Sequence, residues 1–202
     1  MREMNKEPLI SVIMGVYNDQ RFLKEAIESI LSAMKIGMEM AKQKNKEKYT
    51  PKKYKGLILM DIKERVNQIV RKYGTRNPLE IVKAMDIILV RHPLEGVRGF
   101  YHYFQRNHII YVDERLPENE LLFVIAHELG HLFLHKDSNA IFMDTRTNFV
   151  TNKFETEADR FALNLLIQDS DIEDHLDFTT DQFSRLFGYH KKMIELRMKD
   201  FQ

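Results

Sequence analysis

Residues 123–135 read FVIAHELGHLFLH and contain the pattern His-Glu-x-x-His as His127, Glu128 and His131. Residues four apart lie one turn above each other on a helix, so the two imidazoles project from the same side and can bind one ion. Glu128 points about 100° around the helix from His127, close enough to reach a metal-bound water without ligating the metal. The spacing therefore predicts a metal site on a helix, with a carboxylate beside it.

The flanking residues predict that this helix is buried. From position 121 to 134, every residue outside the motif is Leu, Phe, Val, Ile, Ala or Gly, so the helix is apolar on nearly every side. Two histidines and a glutamate buried there would be costly unless a charged or strongly polar partner met them, as a divalent cation does. The simpler alternative is a chance match, in which the histidines only satisfy hydrogen bonds.

Two ligands are not enough, because a catalytic zinc takes three protein ligands and keeps an open position for water. His135 falls on the same helix face as the motif histidines. At 1.5 Å rise per residue, however, its Cα lies about 12 Å from that of His127, too far for both side chains to meet at one ion. We expect His135 to end the helix, or to contact substrate or another side chain.

The next acids lie on the helix predicted over residues 151–168. Glu155 falls within the apolar arc of its helical wheel, and Asp159 follows one turn later at the edge of that arc. This pair suits a metal ligand and an acid that orients a ligating histidine. The alternative is that Glu155 closes a capping box with Asn152 as N-cap. Glu157 falls on the opposite arc, which we expect to be solvated and which also holds Arg160, Asn164 and Gln168.

Composition limits the class of protein. The 202 residues are enough for one domain with an appendage. The absence of cysteine leaves only His, Asp and Glu as metal ligands and fits a reducing compartment. A formal net charge of +1 provides no global field to recruit nucleic acid or anionic lipid. No signal peptide or membrane span is predicted, since the apolar run at 9–17 is too short and lacks a cleavage site. We expect a cytoplasmic protein.

The hydrophobic pattern predicts helices around a small sheet. Amphipathic or apolar helical periodicity predicts helices over 21–34, 61–73, 78–85, 117–135 and 151–168, with two or three short ones after them. Strands are predicted over 8–17, 86–91, 97–104 and 108–112, with a hairpin turn at 105–107. This order predicts an α+β fold with a small antiparallel sheet.

Changes in composition suggest four segments. Residues 1–40 form a strand-helix extension, and 41–58 form a linker, because 41–55 hold seven lysines against one glutamate. Residues 59–170 hold the metal motifs. Residues 171–202 form a C-terminal helical segment that could resemble a helix-turn-helix pair around Gly188, used for packing or docking rather than for DNA.

The two motifs together resemble one known family. AHELGHLFLH at 126–135, followed by ETEADRFALNLLI at 155–167, is similar to the ImmA/IrrE metallopeptidases, as is the strand text from 99 that leads into the motif helix. The resemblance covers about residues 61–171. It implies a zincin-like helical core, a catalytic zinc held by His127, His131 and Glu155, and Asp159 as the partner of a ligand.

The resemblance also implies a substrate. Members of that family resemble anti-repressors that cleave a helix-turn-helix repressor and so derepress mobile-element, phage or stress genes. We therefore expect a zinc-dependent endopeptidase with a repressor as protein partner, without a membrane partner or direct nucleic-acid binding, and with Glu128 as general base. The rival hypothesis is a regulator that binds the repressor without cutting it. Candidates for the oxyanion donor are Tyr101, His102, Tyr103 and His135.

The N-terminus departs from this pattern. Residues 8–31 (PLISVIMGVYNDQRFLKEAIESIL) resemble the first strand and helix of a family 2 glycosyltransferase. The nucleotide-binding sheet and the acidic metal motif that such an enzyme needs do not follow. We therefore expect a fused fragment without glycosyl transfer.

Overall fold

The computed structural model describes residues 20–44, 61–104, 106–135 and 148–201. The strand predicted over 8–17, most of the lysine-rich linker and Gln105 lie outside the described residues. The part described is an α+β fold, as predicted. None of its helices is both long and apolar enough to cross a membrane.

Eight helices are described in these ranges, and their ends follow the sequence signals. They are α1 Gln20–Lys44, α2 Ile62–Tyr73, α3 Pro78–Ala84, α4 Glu118–Leu134, α5 Asn148–Leu166, α6 Asp169–Glu173, α7 Thr180–Phe187 and α8 Lys191–Phe201. The side chains of Asp61 and Asn77 accept backbone N–H groups at the starts of α2 and α3. Gly74 and Gly188 end α2 and α7 with φ of +71° and +73°, where glycine is favoured.

The sheet is mixed, which corrects the prediction of an antiparallel one. Its strands are β1 Ile88–His92, β2 Gly99–Phe104 and β3 Asn107–Asp113, in the spatial order β1-β3-β2. β2 and β3 form the predicted hairpin, with Phe104 paired to Asn107. β1 pairs in parallel with β3, Ile88 lying opposite Ile109. Because β3 lies between the other two strands, β1 pairs with β3, which runs in the same direction, and not with β2. The order of the strands along the chain could not reveal this arrangement.

The motif helix α4 lies in the main core. It packs against α5 on one side and against β2 and β3 on the other. Ile125, Ala126 and Leu129 are fully buried, and they share a core with Ile110 of β3 and Phe161 of α5. The prediction of a buried helix from its all-apolar flanks is confirmed.

The opposite face of the sheet is covered by α1, which continues ten residues beyond the predicted end of that helix. Ile30, Ala33 and Met34 are buried in a second core with Ile109 and Tyr111 of β3. A Cβ on Gly37 would lie 2.3 Å from the Tyr111 hydroxyl, so the close approach requires glycine there. The helix therefore packs on the sheet, and the segment boundaries stay predictions.

Two arginines, one on α8 and one between α2 and α3, stabilise the C-terminal end of α5. The buried Arg197 of α8 donates to the carbonyl of Ile167 at 3.1 Å and pairs with Asp169. Arg76 donates to the carbonyl of Asn164 at 2.9 Å. These guanidinium groups satisfy carbonyls that a helix C-terminus leaves unpaired. The end of α5 is therefore held in place from two sides.

Candidate metal centre

Helix α4 presents its two motif histidines to the same point. His127 and His131 lie one turn apart, and their Nε2 atoms are 3.0 Å from each other. Both side chains are largely buried, with 16% and 15% of their surface exposed. The spacing of the motif thus brings two imidazole nitrogens together at the surface of a buried helix.

Helix α5 supplies the third donor. Glu155 places Oε2 3.2 Å from His127 Nε2 and Oε1 3.4 Å from His131 Nε2. Tetrahedral zinc with bonds of about 2.0–2.2 Å requires ligand atoms about 3.3 Å apart. Nitrogen and carboxylate donors are those that zinc accepts. Within the described residues these three form a group that could hold a metal ion, and both its spacing and its chemistry fit.

A close helix crossing makes this convergence possible. A Cβ on Gly130 would lie 3.0 Å from Cα and 3.1 Å from the carbonyl oxygen of Ala158. Gly130 lies one residue before His131, and Ala158 one residue before Asp159. The two small residues therefore let α5 approach α4 at the level of the metal donors.

Asp159 orients His127. Its Oδ1 lies 2.9 Å from Nδ1 of His127, which leaves Nε2 directed at the candidate site. Burial opposes the charged imidazolium, but hydrogen bonds with Asp159 and Glu155 and the charge of Glu128 outweigh it and raise the pKa of His127 to about 10. Burial also opposes the charged form of Glu155, yet its bonds to both histidines lower the pKa of this carboxyl well below its usual range. The three acidic side chains therefore favour a positively charged group at the position of the histidines between them.

Glu128 lies beside this group without belonging to it. Its side chain is buried, and burial raises the pKa of its carboxyl against the opposing effect of His127 and His131. The backbone N–H of Tyr101 on β2 donates a hydrogen bond to it. A carboxyl of raised pKa, close to the metal donors but not among them, is suited to accepting and returning a proton.

His135 caps the end of α4 and is buried. Its ring lies 5.7 Å from that of His131 and 4.4 Å from that of Phe154. Its Nε2 lies 3.5 Å from Oε2 of Glu157 but forms no hydrogen bond with any described residue. Burial, together with the neighbouring His131, lowers the pKa of His135 to about 4. The group of three donors consists of His127, His131 and Glu155 and does not include it.

The polar arc predicted for the helix over 151–168 is solvated only in part, since Gln168 is exposed but the other three residues are partly or fully buried. Asn164 is buried, and its amide donates to Asp200 of α8 at 2.7 Å. Arg160 pairs with the same carboxylate at 2.5 Å, and only 26% of the Glu157 side chain is exposed. A helical wheel drawn for α5 alone cannot show that α8 packs against the polar side of α5. Asn152 also lies inside α5, which begins at Asn148, so it is not an N-cap.

The candidates for an oxyanion donor are separated by the sheet. His102 packs with Phe104 and Tyr111 on the α1 side, away from α4. The Tyr101 hydroxyl lies 2.6 Å from Nδ1 of His108. Tyr103, near the same His108, has 46% of its surface exposed.

Tyr189, which follows Gly188 in the turn between α7 and α8, lies near the motif helix. Its ring lies 5.5 Å from that of Phe123, and the Phe123 ring lies 6.3 Å from His127. Gly188 marked the turn in the sequence, but no pattern indicated that the turn folds back beside the motif helix.

Comparisons with known proteins agree with the two motifs. The family of IrrE N-terminal-like domains (Peptidase_M78) matches residues 82–199, so the similarity reaches beyond the expected end near 171. The chain is 35% identical over 139 residues to an uncharacterised immunity region protein of Bacillus phage phi105, across 67% of this chain and 88% of that protein. It is 30% identical over 135 residues to the metallopeptidase ImmA of Bacillus subtilis, across 66% of this chain and 75% of ImmA.

A solved structure is also similar. It is a Mycobacterium tuberculosis transcriptional regulator with a TM-score of 0.49 and 17% identity, matched over 69% of this chain. The match covers 47% of the regulator, so this chain spans about half its length.

Proposed function

The chain belongs to the IrrE N-terminal-like family of peptidases, and from this premise we propose that it is a zinc-dependent endopeptidase of the gluzincin kind. His127, His131 and Glu155 are the zinc ligands in this proposal, with Asp159 orienting His127 and Glu128 as general base. The observation that carries it is the convergence of three donor atoms within 4.8 Å of one another, with a buried carboxyl beside them.

Zinc bound there would lower the pKa of its water toward about 7 and polarise the scissile carbonyl. Glu128 accepts a proton from the attacking water, and its burial raises its basicity for this step. As the new C–O bond forms and the peptide C–N bond breaks, Glu128 returns that proton to the departing amine. Asp159 keeps the His127 ring in the orientation that directs Nε2 to the site.

The edge of β2 that faces away from β3 is a suitable binding site for an extended substrate. The N–H of Asp113 donates to the carbonyl of Arg98, and bonded pairs alternate along an antiparallel ladder. The polar backbone groups of Gly99, Tyr101 and Tyr103 therefore face away from β3. Peptides commonly add to such an edge. Here the edge also touches Glu128 through the N–H of Tyr101, so a peptide bound along it would pass the general base.

The substrate we propose is a helix-turn-helix repressor. Support comes from the relatives, one named as an immunity region protein of a phage and the other as the metallopeptidase ImmA. A DNA-binding repressor works in the cytoplasm, so the proposal includes a cytoplasmic location. Cleavage would derepress phage, mobile-element or stress genes.

The test is to incubate the protein with one equivalent of zinc and the repressor encoded beside its gene, then analyse the products by mass spectrometry. Glu128→Gln is the matched control, since it keeps the size of the side chain and removes the base. We expect cleavage by the wild type and a rate about 100-fold to 10,000-fold lower for the variant. Binding of the repressor without cleavage by either protein would favour the non-proteolytic regulator instead.

A further inference from the structure

His135 makes its contacts with the turn of α5 that carries the third donor. Its ring lies 4.4 Å from that of Phe154, tilted by 47°, and its Nε2 is 3.5 Å from Oε2 of Glu157. It also hydrogen-bonds the backbone of Phe154. Because Nε2 has no hydrogen-bond partner among the described residues, that bond must come from Nδ1. Phe154 and Glu157 flank Glu155 in sequence, so the contacts bracket the carboxylate that meets His127 and His131.

The carboxylate of Glu155 meets α4 at His127 and His131. Further along α5, Ala158 packs on Gly130 and Asp159 bonds to His127. These contacts lie on the C-terminal side of Glu155. On its N-terminal side, His135 contacts α5 at Phe154.

We propose that His135 is a positioning residue that holds Glu155 at the distance required of a metal ligand. The inference rests on the proposed zinc site and extends it. His135 acts through Phe154 and the α5 backbone, and it does not ligate. Two properties follow from this geometry. The effect of His135 on zinc affinity must depend on the presence of Glu155. It must also depend on the hydrogen-bond donor at Nδ1 rather than on the volume of the ring.

The experiment measures zinc affinity by competition with a chromophoric chelator. His135→Phe keeps an aromatic ring against Phe154 but removes both nitrogens, and His135→Asn keeps a donor near the position of Nδ1. We expect His135→Phe to weaken zinc binding by about 10–100-fold, as loss of a supporting contact to a ligand does, and His135→Asn to recover most of it. Each variant is also combined with Glu155→Gln, where we expect no further loss.

His175 provides a matched control. It also lies at the end of a helix, with Nδ1 3.0 Å from the carbonyl oxygen of Asp171, and its ring lies 4.6 Å from that of Phe178. His175→Phe should leave zinc affinity unchanged. Thermal unfolding of the zinc-free proteins, measured alongside, shows whether both variants are folded.

Each outcome has one meaning. Wild-type zinc affinity in His135→Phe would overturn the positioning role, and so would losses that simply add in the double variant. Failure of His135→Asn to restore binding would overturn the role assigned to the donor at Nδ1. If Glu155→Gln alone binds zinc as tightly as the wild type, the ligand set of the proposed function is wrong, and this result is separate from any effect at position 135.

Discussion

Two helix packings in this molecule each require a glycine, but they differ in how they treat buried polar groups. Where α4 crosses α5 at Gly130, the part-buried side chains of His127 and Asp159 bond to one another, and only Nε2 of His135, at the end of α4, lacks a partner among the described residues of that contact. Where α1 crosses the sheet at Gly37, Nδ1 of His102 and the hydroxyl of Tyr111 are buried without a hydrogen-bond partner among the described residues.

The α4–α5 contact positions groups that can bind a metal, whereas the α1 contact only buries one face of the sheet. A buried polar group without a partner costs about 1–3 kcal/mol, whereas bonded groups recover most of that cost. The polar groups of the α4–α5 crossing therefore fix a geometry. The α1 contact is stabilised by its apolar side chains, against the cost of two unsatisfied atoms. Substitutions in the first contact should change metal binding, and those in the second should change stability alone.

The largest effect is expected from the ligand itself. Glu155→Gln should weaken zinc binding by more than the roughly 10–100-fold that loss of a supporting hydrogen bond costs, because it removes a charged donor. The same change two residues later, Glu157→Gln, should leave the metal in place, since that carboxylate points toward His135. Zinc content after dialysis measures both. Loss of zinc from Glu157→Gln alone would reverse the assignment.

The two glycines provide the next comparison. Gly130→Ala and Gly37→Ala both introduce a Cβ into occupied space, and we expect each to destabilise by about 1–3 kcal/mol, less any gain in helix propensity of about 1 kcal/mol. Only Gly130→Ala should also weaken zinc binding, because it separates Glu155 from the histidines. Chemical denaturation and zinc titration of both variants test this. Equal zinc affinities would show that the crossing tolerates the shift.

The pH dependence of stability should reveal the buried His102. Burial lowers the pKa of its imidazole, so below about pH 6.5 the unfolded chain binds a proton that the folded chain excludes. Stability is therefore lost as pH falls through that range, by at most about 1.4 kcal/mol per pH unit for one proton. His102→Phe should flatten this slope between pH 6.5 and 5. Parallel slopes for the two proteins would mean that His102 gains a proton without leaving its place.

The smallest effect concerns Tyr111. Its hydroxyl has no partner among the described residues, so Tyr111→Phe should be neutral or raise the free energy of unfolding by up to about 1 kcal/mol. Zinc binding should not change. Tyr101→Phe is the control, since that hydroxyl lies 2.6 Å from His108 and its removal should destabilise. A large loss of stability in Tyr111→Phe would indicate that its hydroxyl is bonded in solution.

The elements of the candidate site could be predicted because their information is local. The spacing of His127 and His131, and the position of Glu155 on its helical wheel, depend only on helix geometry. The fold class followed from the order of periodic segments. What failed depended on which other secondary-structure element packs beside a residue. Two examples are the hydrogen bond from buried Asn164 to Asp200 of α8 and the parallel pairing of β1 with β3.

The extent of α1 failed for another reason. Its last residues belong to the lysine-rich stretch, whose composition favoured a linker. Yet Ala41 is buried, and neighbouring Lys42 and Gln43 are exposed. A helix end with one small residue facing the sheet shows almost no hydrophobic periodicity, so composition alone could not distinguish it from solvated chain.

The groups of the candidate metal centre also share a short stretch of chain, from His127 to Asp159. Loop-closure entropy grows with the logarithm of loop length, so bringing these groups together costs the folding chain little. The pairing of β1 with β3 joins residues that are no farther apart in the chain, such as Ile88 and Ile109, but it is parallel, and parallel pairing of strands is intrinsically slow. A helical hairpin of α4 and α5 can therefore form early, and a cation that binds its converging side chains would add its binding energy to folding before the sheet is complete.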